Sequence, residues 1–194
     1  MANTPRVSVV LVNFRGLSDT LEALSHLRAI DWPTDHLEIV VVENASGDDS
    51  AARLATEEGI VFVQSPTNSG FAGGCNLGVR HSSGDIVAFL NNDAKPDAQW
   101  VRAAVEAFGI SPKVGAVAST VLNWEGTHID YQGSGMTWYG MGYRPLTGNK
   151  VPKKKPPRQE VLFGTGSAMF VRREVFDALG GFDERYFMFF EDVD

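Results

Sequence analysis

Asn91, Asn92 and Asp93 directly follow five apolar residues, Ile86 to Leu90. Such a run is too short for a free-standing helix and reads as a strand buried on both faces. It delivers one carboxylate and two amides at its carboxyl end, where open α/β sheets bind ligands. A carboxylate flanked by amides suits a hard divalent cation shared with phosphate oxygens. Asn and Asp also favour turns for backbone reasons alone, so a polar strand-end turn stays open from this segment. A second cluster, Glu191-Asp192, follows the apolar run Phe187 to Phe190. Desolvation beside such a wall would raise a carboxylate pKa and make it a better proton acceptor; a solvated acidic stretch is the other reading.

The elements that must position these groups alternate in type. Val7 to Val12 reads as a strand ending at Asn13-Phe14, and Leu17, Leu21, Leu24 and Leu27 recur at helical spacing. Ile39 to Val42 is a second buried strand closed by Glu43-Asn44. Asp48 or Asp49 can cap a helix reaching about Glu58, and Ile60 to Val63 gives a third strand. A Gly-rich turn, Asn68 to Gly74, leads into a short helix from Cys75 to His81. After the Ile86–Leu90 strand come an amphipathic helix through Trp100 and Phe108 and a fifth strand from Val114 to Val121. This alternation predicts right-handed crossovers and a mainly parallel sheet flanked by helices. From about residue 123 glycines and aromatics replace the helical periodicity. Residues 148–159 form a basic, proline-rich loop expected to be mobile, with a contact to phosphate or an anionic head group as its functional alternative. Strands at Val161 to Phe163 and Ala168 to Val171 then flank Gly164-Thr165-Gly166, before a helix from Arg173 to Leu179.

If the sheet is parallel, the polar ends at Asn13, Glu43-Asn44, Asn68 and Asn91 to Asp93 converge on one edge. Gly70, Gly73 and Gly74 would let backbone approach a ligand there, and the following helix N-terminus suits an anion. A dinucleotide fingerprint would have to follow the first strand, where Asn13-Phe14-Arg15-Gly16 stands instead. There is no Walker A sequence. His26, His36, His81 and His128 lack metal-ligand spacing, Cys75 has no neighbouring base, and Ser167 is not in a Gly-x-Ser-x-Gly elbow.

Composition narrows the class. A chain of 194 residues, 43% hydrophobic and 21% charged, can build one substantial core. Its net charge of −7 argues against a general nucleic-acid binder. The single cysteine excludes an internal disulfide and fits a reducing compartment. Met1 to Arg6 lacks the apolar core of a secretory signal, and no run approaches a membrane span. A cytoplasmic protein is expected, with peripheral attachment at the inner face of the plasma membrane left open.

Five stretches in order resemble the family 2 glycosyltransferases of the GT-A fold: Val7 to Phe14, Val41 to Ser46, Asn68 to Asn76, Phe89 to Asp93 and Gly181 to Asp192. The similarity is greatest to the branch of bacterial rhamnosyl- and galactofuranosyl-type transferases. The resemblance implies a Rossmann-like sheet and inverting transfer of a sugar from a UDP- or dTDP-sugar to a glycan or lipid-linked acceptor in cell-envelope polysaccharide synthesis. It implies a donor-binding set of Asn13, Phe14, Glu43, Asn44, Asn68, Gly70, Phe71, Ala72, Asn76, Asn91 and Asn92. Asn13 and Glu43 would face the nucleoside, with Asn68 and Asn76 near base or ribose. Asp93 and Asn91 match the ends of the motif that holds Mg²⁺ or Mn²⁺ on the diphosphate. Asp192 matches the general base, and Gly164, Thr165, Gly166 and Glu191 lie on the acceptor side. Residues 1–122 would form the donor subdomain and 123–194 an acceptor-side subdomain. Asn91 stands where many members have Asp, which implies stronger dependence on added metal. The family continues past the position of Asp194 with a basic stretch, acceptor-side helices and a metal-binding His, so the resemblance implies a C-terminally truncated chain. A nucleotide-sugar binding fragment without turnover is therefore the alternative from the binding class. A nucleotidyltransferase is a third, for which Arg15-Gly16 is a poor match to the basic Gly-rich loop it needs. The residues leave donor sugar, acceptor and oligomeric state open.

Overall fold

The computed structural model describes residues 4–194. The first three residues of the Met1–Arg6 reading lie outside them. The chain runs β1 (Val7–Asn13), α1 (Leu17–Arg28), a 3₁₀ turn (Thr34–His36), β2 (Leu37–Glu43), α2 (Ser50–Leu54), β3 (Val61–Gln64), α3 (Gly70–Arg80), β4 (Ile86–Leu90) and α4 (Trp100–Phe108). Short strands β5 (Ala116–Ala118), β6 (Val121–Leu122), β7 (Ile129–Tyr131), β8 (Gly135–Met136) and β9 (Gly142–Tyr143) precede β10 (Ala168–Arg172) and α5 (Arg173–Leu179).

Six strands form one sheet in the order β3-β2-β1-β4-β10-β5. β1, β2, β3 and β4 are mutually parallel, whereas β10 is antiparallel to both β4 and β5. Strands are added outward on one side of β1 as β2 and β3, and on the other side as β4. The switch point therefore lies between the carboxyl ends of β1 and β4, where a crevice opens.

Alternation along each strand supplies two cores. Val7, Val9 and Leu11 of β1 face Ala23, Leu24 and Leu27 of α1 and Val101 and Phe108 of α4. Val10, with Val40 and Val42 of β2, faces Cys75 and Val79 of α3 and Phe176 of α5. With both faces covered, β1, β2 and β4 need almost unbroken apolar sequences. Each fully buried Val or Leu contributes roughly 1.5–3 kcal/mol, so these strands form the rigid base of the crevice.

Four elements differ from the sequence reading. α3 starts at Gly70 rather than near Cys75, so the Gly-rich stretch is helix and not turn. Glycine lowers helix propensity, which hides the start. Here it permits close packing: a Cβ at Gly74 would lie 2.8 Å from Val12 Cγ1. α2 ends at Leu54, because Thr56 turns both its N–H and its hydroxyl onto the Arg53 carbonyl and tightens the last turn. The expected fifth strand is split, with β5 pairing β10 and β6 leaving the main sheet to pair β7. Val161 to Phe163 is not a strand. The Phe163 N–H donates to Ser134 Oγ, and its carbonyl accepts from Tyr131 and Ser134 hydroxyls, so side chains replace a ladder. Among the described residues, no helix is long and apolar enough to cross a membrane.

Candidate donor and catalytic site

A cavity of about 670 Å³ opens at the β1–β4 switch point, within the range of small-molecule sites. Phe14, Asn44, Asn68, Gly70, Phe71, Asn91, Asn92, Asp93, Thr165, Gly166, Glu191 and Asp192 all line it. Strand ends far apart in sequence thus meet the acidic pair of the last six residues. Asn13, Glu43, Ala72, Asn76 and Gly164 do not line it.

Backbone bonds tie the two acidic corners together. Asn91 donates its N–H to the Ser167 carbonyl at 3.0 Å, so the loop 164–167 is docked on the end of β4. The Gly166 N–H donates to Asp192 Oδ2 at 2.8 Å. Two adjacent residues, Gly166 and Ser167, therefore connect the Asp93 corner to Asp192. Gly166 leaves little room for anything larger, since a Cβ there would lie 2.9 Å from Phe71 Cε1.

The amide residues divide by use. Asn92 Nδ2 donates to Thr20 Oγ1 and to the Gly16 carbonyl, fixing β4 to the start of α1. Asn13 is fully buried, accepting from Thr20 Oγ1 and donating to Ser46 Oγ. Glu43 Oε1 accepts the Ser46 N–H at 2.7 Å, and Glu43 lines a separate, shallower hollow with Gln64, Ser65 and Pro66. Asn44 braces the α3 entry, donating to Asn68 Oδ1 and to the Gly70 carbonyl. Asn76, placed beside base or ribose by the resemblance, points the other way. It donates to the Phe182 carbonyl and Glu184 Oε1 and accepts the Phe182 N–H. Ala72 is buried against the sheet, and Gly164 packs on Met169.

The anion site expected at the helix N-terminus is occupied by the chain itself. The Gly70 N–H donates to Asn68 Oδ1, and the Phe71 N–H donates to the Phe187 carbonyl at 2.8 Å. The Phe71 bond, with that from Gly166 to Asp192, holds the segment 187–192 across the cavity. Phe189 and Phe190 have φ of 71° and 68°. Left-handed backbone at two consecutive aromatic residues is strained and persists only where the surroundings impose it. Gly70, itself at φ 71°, has Phe187 so close that no Cβ fits. Gly70→Ala therefore loses about 1–2 kcal/mol from backbone strain alone, or roughly 2–8 °C in melting temperature, and loosens the 187–192 segment. A melting curve unchanged by the substitution would contradict this packing.

Glu191 is 8% exposed, and its Oε2 has no hydrogen-bond partner among the described residues. Burial, and then the charge of Asp192, push its pKa above the ordinary value. The same burial, with Glu191 close by, raises the Cys75 thiol, in keeping with a packing role. The folded chain holds the Glu191 proton more tightly than the unfolded chain does. This group's contribution to stability is therefore greatest below the ordinary Glu value of 4.5 and declines as pH rises through the raised folded value. Glu191→Gln removes that dependence. The difference in melting temperature, variant minus wild type, grows in the variant's favour between about pH 4 and pH 8; a constant difference would contradict it.

The structure adds lining residues that the sequence reading missed: Asp130, Gly142, Tyr143, Arg144, Phe163 and Ser167. Arg144 pairs with Asp130 at 3.5 Å at the cavity edge. A lone basic residue inside a Gly- and aromatic-rich stretch was the signal available.

Asp93 is an exposed carboxylate beside the Asn91 carbonyl-amide, and the described residues contain no group of three or more His, Cys, Asp or Glu able to hold a metal. Mg²⁺ is commonly held by one or two carboxylates plus substrate phosphates. The donors present therefore fit a cation shared with a diphosphate and do not form a cage of their own.

A parallel four-strand core with its switch-point crevice and an antiparallel partner strand defines the GT-A class of α/β fold. Residues 8–180 match the family model "Glycosyl transferase family 2", and the chain belongs to that family. It is 26% identical to a low-salt glycan biosynthesis hexosyltransferase of Haloferax volcanii, covering 97% of this chain and 59% of that protein. It is 30% identical to an N-acetylglucosaminyl-diphospho-decaprenol L-rhamnosyltransferase of Mycobacterium tuberculosis over 52% of this chain and 38% of that protein. A mannosyltransferase of Pyrobaculum calidifontis, solved with GDP-mannose and Mn²⁺, superposes with a TM-score of 0.68 at 24% identity, covering 94% of this chain and 49% of that one. The chain thus spans little more than half the length of these relatives, or less.

Proposed function

We propose that this chain carries the donor site and the catalytic base of an inverting glycosyltransferase that moves a hexose or deoxyhexose, such as rhamnose, from a UDP- or dTDP-sugar to a glycan or lipid-linked acceptor. The observation that carries it is the loop 164–167, which is bonded at once to the end of β4 and to Asp192. That link sets a phosphate-facing corner and a proton acceptor on two walls of one cavity. Residues 1–122 supply the donor side, and residues 123–194 the acceptor side.

In this reading Asp93 and Asn91 would hold Mg²⁺ or Mn²⁺, and the cation would supply positive charge at the departing diphosphate. Asp192 accepts the proton of the acceptor hydroxyl while that oxygen bonds to the anomeric carbon. The bond from that carbon to the diphosphate oxygen breaks, and the electron pair leaves with the nucleoside diphosphate. Gly166 orients Asp192 through its N–H. Phe71 and the Phe187–Phe190 segment form an apolar wall beside the two corners. Asn92, Asn13 and Thr20 keep the β1 and β4 ends in register beneath the donor. The names of the relatives support the kind of sugar moved and the acceptor class, since they include a hexosyltransferase and a rhamnosyltransferase to a diphospho-decaprenol lipid.

Thermal shift against a panel of UDP-, dTDP- and GDP-sugars, with and without Mn²⁺, tests the donor half. A ligand at 100 times its Kd raises stability by about 2.7 kcal/mol, so one nucleotide class should raise the melting temperature only with metal present. No shift with any of them would sink the reading. Sugar transfer measured alongside binding separates a working transferase from a donor-binding chain without turnover.

A further inference from the structure

Charge is divided unevenly along this chain. Residues 131–159 hold six of the 17 Lys and Arg and no Asp or Glu. The remaining residues hold all 24 acidic groups against 11 basic ones. In a protein of net charge −7, one stretch is thus wholly cationic while the body is strongly anionic. Arg144 and Arg158 pair with Asp130 and Glu106, whereas Lys150 and Lys153 to Lys155 are exposed and make no ion pair among the described residues.

The same stretch carries an apolar tip. β8 and β9 form a hairpin closed by Thr137 to Met141, with the Thr137 N–H donating to the Met141 carbonyl at 2.8 Å. At its tip Trp138 is 95% exposed, more than any other large apolar side chain described. It stacks edge-on against Tyr139, itself 61% exposed, at 5.4 Å between ring centroids. Met136, Met141 and Tyr143 add exposed apolar surface on the same hairpin. A Trp-Tyr pair this exposed has no role in the core.

The cationic loop leaves and returns beside this hairpin. Lys150 bridges His128 next to β7, and the Gln159 side chain lies beside Gly133 just before β8. Phe163 then packs on Gly142 of β9. Interfacial Trp and Tyr with unpaired Lys beside them match the headgroup region of an anionic leaflet: the rings favour the water–lipid boundary and the ammonium groups favour its phosphates. The acidic body is repelled by the same surface, which orients the molecule with this edge down.

We infer that the β8–β9 hairpin and the 150–158 loop dock this protein on a membrane leaflet bearing anionic lipid. The Trp138–Tyr139 tip enters the interface, and Lys153 to Lys155 face the headgroups. Tyr143 and Arg144 belong both to this edge and to the cavity lining, so the docked edge adjoins the acceptor side. The consequence that a lipid-linked acceptor reaches the cavity from the leaflet rests on the transferase reading; membrane docking itself does not.

Co-sedimentation of the full chain, without nucleotide or metal, with vesicles of phosphatidylcholine alone or mixed with phosphatidylglycerol tests it. Binding to the mixed vesicles only, weakening with added salt, is expected. Replacing Lys153, Lys154 and Lys155 with Gln lowers the partition coefficient by at least about tenfold. The pair Trp138→Ser and Tyr139→Ser also lowers it, with circular dichroism unchanged in both because these side chains are exposed. Equal binding by wild type and both variants, or no vesicle binding at all, overturns the proposal. So would dimers in sedimentation velocity that the same variants dissolve without any lipid effect, since the surface would then belong to a second copy. Because no donor is present, a negative result here leaves the donor reading standing, and failure of the donor panel leaves this one standing.

Discussion

Asp192→Asn lowers turnover by about 10²- to 10⁴-fold while leaving donor affinity near that of wild type, the range expected for loss of a general base. The substitution is chosen for its geometry. Asp192 Oδ2 accepts the Gly166 N–H, and the Asn carbonyl oxygen can accept the same bond. The loop 164–167 stays docked on β4, so the change removes proton acceptance and little else. An amide cannot take the acceptor's proton, so the loss falls on kcat and on the pH profile, whose acid limb flattens. Steady-state kinetics with saturating donor measures both. Wild-type turnover in the Asn variant would exclude Asp192 as the base, and a large rise in donor KM would make it a binding group instead.

Asp93→Ala removes the one carboxylate at the end of β4 and should abolish the metal dependence of donor binding. A cation beside a departing diphosphate is worth several kcal/mol, so about 4 kcal/mol lost corresponds to roughly a 10³-fold fall in kcat/KM. Asn91 contributes no charge, so nothing else at this corner replaces Asp93. The fold is expected to survive, because Asp93 is exposed and the β4 end is held by Asn91, Asn92 and Ser167. Titration of donor with and without Mn²⁺ reads the effect. A variant that keeps a wild-type difference between the two conditions would place the metal elsewhere.

The fold was legible because each strand is buried on both faces. Ile86 to Leu90 and Val7 to Val12 have to be apolar throughout, and that texture survives in a single sequence. The start of α3 was not legible, because Gly70, Gly73 and Gly74 read as a turn on propensity, whereas Gly74 packs closely on Val12 of β1 and Gly70 lies against Phe187. The candidate site was legible as a convergence of strand ends. It was not legible which polar side chains would face the cavity. Asn and Asp at a strand end serve ligands and local hydrogen bonds equally well. Thus Asn44, Asn68 and Asn91 line the cavity, whereas Asn13 and Asn76 join elements of the fold. Arg144 and Asp130 escaped notice because their pairing depends on two small two-stranded sheets, β6-β7 and β8-β9, that periodicity does not reveal.

A structure of the chain with a nucleoside diphosphate and Mn²⁺ bound tests the donor corner most directly. The diphosphate should lie in the cavity between Asp93 and the 164–167 loop, with the metal on Asp93. A nucleotide seated wholly in the separate hollow beside Glu43, with no metal on Asp93, would contradict the assignment.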